Sequence, residues 1–266
     1  MSNEGVYTHL PYVEFKELLD LKGKTAVVTG GGDGIGLAIS KRLAEAGANV
    51  VMGSLGEEKT QEVIGAGYPS KFVQTDVTDL NAIKNLLSEA NKTFGSVDIY
   101  VNNAGIYPLK AIHDITPEFW DRMFAINTKA MFFGAQLSSQ YMIDQGKGGA
   151  IVNMSSICAH RPMHNHVTYD ASKGAVVSMT RTLAKDLGPH NIRVNSVSPG
   201  LIATPGNLEP ELLKEHEDMN TLNNIPIKRR GEPYEIGNAV LFLVSPMASY
   251  VSGIDMLVDA GWATNL

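Results

Sequence analysis

Two stretches of the chain combine residue types and spacings suited to chemistry. Thr29-Gly30-Gly31-Gly32-Asp33-Gly34-Ile35-Gly36 follows an apolar, β-branched run and carries glycine at alternate positions 30, 32, 34 and 36. Glycine tolerates positive φ and lets a ligand come close, and a helix opening at Gly34 turns unpaired N–H groups toward an anion. A pyrophosphate is the fitting guest. The spacing is G-x-x-x-G-x-G on Gly30, Gly34 and Gly36, not the common G-x-G-x-x-G, and by itself such a turn also suits close packing of a helix on a strand. Tyr169 and Lys173, four residues apart, share one helical face. Ser155 and Ser156 follow another apolar run, where open parallel sheets bind ligands and where hydroxyls also serve to satisfy backbone groups.

These residues need elements to hold them. Thr25 to Thr29 reads as a buried strand, and the helix after the glycine turn ends at Gly47 before a second strand, Ala48 to Met52. The alternation continues through Lys71 to Gln74, a helix capped by Asp79, and Asp98 to Val101 ending in Asn102-Asn103-Ala104-Gly105. A long helix from Pro117 to Gln145, a strand Ala150 to Met154 and the helix of Tyr169 and Lys173 follow. Ile192 to Val197, closed by Pro199-Gly200, a helix over Tyr234 to Leu243 and a strand Ile254 to Val258 complete the pattern. Parallel strands joined through helices need right-handed crossovers. The expected fold is therefore α/β, a single doubly wound, Rossmann-like domain over 22–266 with a mainly parallel sheet and helices on both faces. An N-terminal arm, 1–21, precedes it, with Val13 to Leu21 as a short amphipathic helix whose Phe15, Leu18 and Leu19 face inward. The polar stretch Thr204 to Asn224 reads as a lid, and Asn127, a mediocre helix former in mid-helix, either faces water or serves a site.

Composition narrows the partners. The chain of 266 residues is long enough for a sizeable core, with 44% hydrophobic and 19% charged residues and a formal net charge of -6. No stretch approaches the roughly 18 consecutive apolar residues of a membrane span. Apart from Lys228-Arg229-Arg230 the cations are scattered, so neither a membrane nor nucleic acid is an expected partner. The amino terminus lacks a positive region followed by an apolar core, and Cys158, the only cysteine, has no mate for an internal disulfide. A cytoplasmic setting is expected.

Taken in order, Thr29-Gly30-x-x-x-Gly34-Ile35-Gly36, Asp76-Val77, Asn102-Asn103-Ala104-Gly105, Asn127, Ser156, Tyr169-x-x-x-Lys173 and Pro199-Gly200 make the chain resemble the short-chain dehydrogenase/reductase family in its compact single-domain form, over residues 22 to 262. In similar sequences the catalytic serine lies thirteen residues before the tyrosine, which selects Ser156 over Ser155. The resemblance implies reversible hydride transfer between a nicotinamide cofactor and a carbonyl or secondary alcohol. Tyr169 would then be the acid in reduction and the base in oxidation. Lys173, as a neighbouring cation, would draw the phenol below its ordinary pKa near 10 and bond the cofactor ribose. Ser156 would hold and polarise the substrate oxygen, and Asn127 would link the lysine to solvent through water. Cofactor contacts are implied for Gly30, Gly32, Asp33, Gly34, Ile35, Gly36, Ser54, Asp76, Val77, Asn103, Ala104, Gly105, Tyr169, Lys173, Pro199, Gly200, Ile202 and Thr204. Similar family members are commonly tetramers, built through the long helices and the last strand, so a homotetramer is expected.

The chain departs from the family pattern where the cofactor is chosen. The position about 20 residues past the turn, where a carboxylate would take the ribose hydroxyl of NAD, is Ser54, and the next, often arginine in NADP users, is Leu55. Asp33 stands where similar NADP enzymes often carry a basic residue, and its charge repels a 2′-phosphate, which favours NAD. Between Ser156 and Tyr169 lie His160, Arg161, His164, Asn165 and His166. So polar a wall suits a sugar or polyol, although the same side chains also suit solvent. Substrate contacts are expected at Ser156, Cys158, His164, Asn165 and Tyr169. No metal is expected, since His164 and His166 lack a third ligand, and Cys158 has no adjacent base to make it reactive. The competing readings are an NADPH-dependent ketone reductase with a larger apolar substrate, a sugar epimerase and a non-catalytic nucleotide-binding scaffold. Epimerases of similar fold usually have a larger carboxyl-terminal region, and a scaffold has no need of the intact Asn127, Ser156, Tyr169 and Lys173.

Overall fold

The computed structural model describes residues 12–57, 59–208, 213 and 221–264. Strand β1 (Thr25–Thr29) is buried at every residue, with Ala26 and Val28 in one hydrophobic cluster and Val27 in another. Two-sided burial is why its sequence is a continuous apolar run without alternation. Around it lie β2 (Asn49–Ser54), β3 (Ser70–Gln74), β4 (Ile99–Asn102), β5 (Gly149–Met154), β6 (Ile192–Pro199) and β7 (Asp255–Val258). Their order in the sheet is β3-β2-β1-β4-β5-β6-β7, and every pairing is parallel.

The helices between them are α1 (Gly34–Glu45), the single turn α2 (Gln61–Ile64), α3 (Leu80–Phe94), α4 (Pro117–Phe124), α5 (Ala130–Gln145), α6 (Val167–Leu187), the single turn α7 (Thr221–Asn224) and α8 (Pro233–Val244). Helices α1 and α8 cover one face of the sheet with Leu37, Ile39, Leu43, Ile236 and Val240. On the other face α3 and α5 supply Ile83, Leu86, Leu87, Ala135 and Met142. Each fully buried leucine or isoleucine contributes about 2 kcal/mol. The chain reverses its direction of travel across the sheet between β1 and β4, and a crevice opens beyond the carboxyl ends of those strands, the usual ligand position in this architecture.

Two expectations change. The arm does not form an amphipathic helix: Phe15–Glu17 makes one 3-10 turn, Phe15 is 83% and Leu19 42% exposed, and Leu21 is the residue that is buried. Backbone bonds dock the segment instead, from Leu21 N–H to Ala46 O at 2.8 Å and from Met247 N–H to Leu18 O at 3.1 Å. The stretch Pro117 to Gln145 is helical throughout but not uniformly α, because Ala125–Lys129 forms a π-helical turn. Residues 1–11 of the arm, and 209–212 and 214–220 of the expected lid, lie outside the described residues.

Candidate active site

The glycine turn is closed by its neighbours. Asp33 caps α1, its Oδ1 accepting from Gly34 N–H at 2.6 Å, and Gly30 sits at φ +63. A Cβ on Gly36 would collide with the Gly30 carbonyl oxygen, so the first turn of α1 packs directly on the backbone. Asn103 Nδ2 donates to Thr29 O at 3.0 Å and Gly30 O at 3.2 Å, and Thr29 Oγ1 accepts from Asn103 N–H at 3.0 Å and Ala104 N–H at 3.2 Å. The ends of β1 and β4 are thereby stitched into one cradle.

A second set of buried amides fixes the strand that delivers the serines. Asn102 Nδ2 donates to Asn153 Oδ1 at 2.9 Å, and Asn153 Nδ2 to Thr180 Oγ1 at 3.0 Å, joining β4, β5 and α6. At the end of β5, Ser155 Oγ donates to Lys173 O at 3.0 Å, and Lys173 Nζ donates to Met154 O at 2.8 Å. Ser156 Oγ accepts from Cys158 N–H at 3.2 Å, which leaves its own proton to donate, and Ser156 and Tyr169 line the same cavity. Lys173 Nζ stands 5.7 Å from the Tyr169 ring centre. Hydroxyl, phenol and ammonium thus meet where β5 and α6 converge.

Burial sets the charges here. It raises the Tyr169 phenol above its ordinary range and brings Lys173 down to about 8. In the protein alone, burial is the largest influence on the phenol.

Asn127 lies in the π turn, fully buried. Its Oδ1 accepts from Ile106 N–H at 2.9 Å and its Nδ2 donates to Ile106 O at 2.8 Å and Ser172 Oγ at 3.2 Å. It does not face water, and its side chain grips the backbone next to Gly105 instead of reaching for Lys173. π turns recur at functional sites because the wider turn re-aims a side chain.

A cavity of about 460 Å³ opens in front of these groups. Gly30, Asp33, Gly34, Ile35, Gly36, Asn103, Ala104, Gly105, Ser156, Cys158, Tyr169, Lys173, Pro199, Gly200, Ile202 and Thr204 line it as expected. Gly32, Ser54, Asp76 and Val77 do not: Ser54 stands behind the turn, 3.1 Å from where a Cβ on Gly32 would be. Asp76 is exposed, and Thr78 N–H and Oγ1 both donate to its Oδ1, holding its carboxyl below the ordinary range. His164 and Asn165 are exposed and outside the lining, a correction to the substrate assignment. Asn165 takes φ +61, and after that turn His166 is the histidine that faces the cavity. Ser155, Tyr107, Met163 and Trp262 line it as well. Loop residues such as Tyr107 and Met163 carry no periodicity that marks them in the sequence.

Asp33 is also paired, accepting from Lys59 Nζ at 2.8 Å on the exposed rim. That partner partly compensates the charge of the carboxylate.

The glycine turn at the sheet crevice opens on one cavity with Ser156, Tyr169 and Lys173, an arrangement suited to a nicotinamide-dependent oxidoreductase. The family model described as enoyl-(acyl carrier protein) reductase matches residues 30–263. The chain belongs to the short-chain dehydrogenase/reductase family, and it is an NAD(P)-dependent enzyme that transfers hydride between the cofactor and a secondary alcohol or its carbonyl. It is 35% identical over 252 residues to the 2,5-dichloro-2,5-cyclohexadiene-1,4-diol dehydrogenase of Sphingobium indicum, covering 92% of this chain and 98% of that protein. To the NAD-dependent glycerol dehydrogenase of Listeria innocua it is 37% identical over 250 residues, covering 93% and 97%. The crystal structure of a gluconate 5-dehydrogenase from Burkholderia cenocepacia in complex with NADP and tartrate superposes with a TM-score of 0.87 at 29% identity, covering 94% of this chain and 99% of that one. No helix among the described residues is long and apolar enough to cross a membrane.

Proposed function

We propose that this enzyme interconverts a secondary hydroxyl and a ketone on a small polyol or sugar, with NAD as its preferred cofactor. The observation that carries the reading is the corner of Ser156, Tyr169 and Lys173 opening on one cavity with the glycine cradle. The cradle fits a dinucleotide, since Gly34, Ile35 and Gly36, the first turn of α1, line the cavity and a helix N-terminus offers backbone N–H groups to a phosphate. Gly30, Gly34, Ile35 and Gly36 would hold the pyrophosphate, Lys173 the nicotinamide ribose, and Pro199, Gly200, Ile202 and Thr204 the nicotinamide end. Ser54, Asp76 and Val77 would flank the adenosine along the open crevice. When bound, the nicotinamide ring supplies or accepts the hydride and, oxidised, adds the positive charge that favours phenolate. In reduction the Tyr169 phenol passes its proton to the substrate oxygen while Ser156 holds that oxygen; in oxidation the phenolate takes it back. Lys173 lowers the cost of phenolate, and Asn127 positions the Gly105–Ile106 backbone beside them.

A hydroxylated substrate is supported by His166, which lines the cavity beside Cys158. The relatives named for a diol and for glycerol support it too. For NAD the support is the carboxylate of Asp33 with no arginine at Leu55, tempered by Lys59. A homotetramer in the cytoplasm completes the reading: β7 is an edge strand with Leu257 42% exposed, Ile254 beside it is 40% exposed, and Phe132 on α5 is half-open. The test is turnover, followed by nicotinamide absorbance, with NAD and NADP offered separately against polyols, sugars and plain secondary alcohols. Faster turnover of polyols or sugars with NAD supports the reading; preference for bulky apolar ketones with NADPH overturns it.

A further inference from the structure

Beside Ser156, Tyr169 and Lys173 lies a cluster of three side chains whose sulfur, nitrogen and oxygen atoms could hold a metal ion. Cys158, from the 3-10 turn after Ser156, brings its Sγ to 3.7 Å from His166 Nδ1, and His166 Nδ1 lies 3.7 Å from Asp170 Oδ1 one helical turn on. All three ligand atoms fall within 4.8 Å of one another. Asp170 Oδ1 is buried and makes no hydrogen bond of ordinary geometry, while its other oxygen accepts from Met163 N–H at 3.4 Å.

Sulfur, nitrogen and oxygen donors therefore converge on one point. Zinc binds thiolate at about 2.3 Å and imidazole at about 2.0 Å, so a tetrahedral ion separates sulfur and nitrogen by about 3.6 Å. The Cys158–His166 separation already matches, while Asp170 Oδ1, 3.7 Å from His166 Nδ1 and within 4.8 Å of Cys158 Sγ, has to turn inward to complete the set. One thiolate, one imidazole and one carboxylate suit a borderline-soft divalent cation far better than magnesium or calcium. Three protein ligands leave a fourth position open, and Cys158 and His166 both line the cavity. The His166 ring meets the Tyr169 ring edge to face at 5.9 Å, so an ion held there would stand next to the phenol.

We propose that Cys158 Sγ, His166 Nδ1 and Asp170 Oδ1 form a site for a zinc-class divalent cation on the substrate side of the cavity, and that its occupation blocks turnover. On binding, the metal–sulfur bond replaces the Cys158 S–H bond and the proton leaves to solvent. The ion ties the turn after Ser156 to the first turn of α6 and fills the space where a substrate oxygen would approach Tyr169. A pairing of His164 with His166 does not form this site; the third ligand comes from across the loop.

Blockage rests on the proposed activity, whereas binding does not, and the test separates them. Co²⁺ is titrated into the purified full-length protein, and the thiolate-to-cobalt charge-transfer band and the visible ligand-field bands are recorded, then Zn²⁺ is added in competition. The expected result is a saturable cobalt–thiolate spectrum displaced by Zn²⁺. Loss of an outer-shell partner alone costs 10–100-fold in metal affinity, so losing a direct ligand in Cys158→Ser or Asp170→Asn weakens binding at least about a hundredfold. Thermal unfolding of both variants verifies that they are folded, and His166→Gln is the substitute if either is not. Zn²⁺ added at the same ratio abolishes turnover of the wild type and leaves the turnover of Asp170→Asn at its zinc-free value. Absence of a thiolate band, a band indifferent to these substitutions, or full turnover of the zinc-loaded enzyme would overturn the proposal. If no substrate is turned over at all, the proposed activity fails and the cobalt spectrum still decides the site.

Discussion

Lys173 Nζ donates to the Met154 carbonyl at 2.8 Å, fastening the helix that carries the phenol to the last residue of the strand that delivers the serines. Ser155 closes the same joint from the other side through Lys173 O at 3.0 Å. The geometry of the catalytic corner is thus set by bonds between a strand end and a helix, not by loop conformation.

The two serines separate accordingly. Ser156→Ala removes the hydroxyl that, on the proposed function, holds the substrate oxygen, and lowers kcat about a hundredfold or more. Ser155→Ala loses one buried hydrogen bond, costs about 1 kcal/mol of stability and leaves kcat within about tenfold of the wild type. Steady-state kinetics and thermal unfolding of the pair read this directly.

Asn127→Ala strips the N–H and the carbonyl of Ile106 of their shared partner. Its cost is about 2 kcal/mol in stability, with a raised KM for the cofactor because Gly105 loses its support. Denaturant unfolding and cofactor titration measure both effects.

Asp33 and Lys59 act in opposite senses on a 2′-phosphate. Lys59→Ala exposes the Asp33 charge and raises the preference for NAD over NADP, while Asp33→Asn lowers it. Because both side chains are largely exposed, with relative accessibilities of 45% for Lys59 and 59% for Asp33, each change is only about two- to fivefold. Dissociation constants for the two cofactors at low and high salt provide the check, since the effect shrinks with screening.

Glu235 makes part of the fold sensitive to acid. The Arg229 guanidinium holds its carboxyl down at about 2, through bonds of 2.8 and 2.9 Å, with help from Glu232 N–H at 2.8 Å. The unfolded carboxyl, near 4.5, takes up its proton first on acidification, so this contribution is complete above that value and is lost as pH falls toward 2. Glu235→Gln removes about 1 kcal/mol at neutral pH, after allowance for solvent screening. The variant also unfolds with a flatter dependence on pH across that window, which unfolding measured as a function of pH will show.

The strands and the cradle are legible in the sequence because two-sided burial and backbone closure each demand particular residue types, valine-rich runs for β1 and glycine at 30 and 36. Tyr169 and Lys173 are legible because helical periodicity places them. The π turn is not, since it depends on Asn127 meeting the backbone of Ile106, twenty-one residues away. Nor is the choice of His166 over His164 legible, which a left-handed Asn165 decides, or the Lys59 partner of Asp33, supplied by a loop without periodicity. The arm misled because Phe15 and Leu19 have helical spacing but no surface beneath them.

The central claim is that Tyr169 carries the proton. Tyr169→Phe keeps the ring, its packing against His166 and the cofactor cradle, and removes only the phenol oxygen. Following nicotinamide absorbance with the best substrate of the panel, the account predicts that kcat falls about a thousandfold or more, while the dissociation constant for the cofactor stays within about threefold of the wild type. Turnover that survives the substitution within about tenfold would contradict the account.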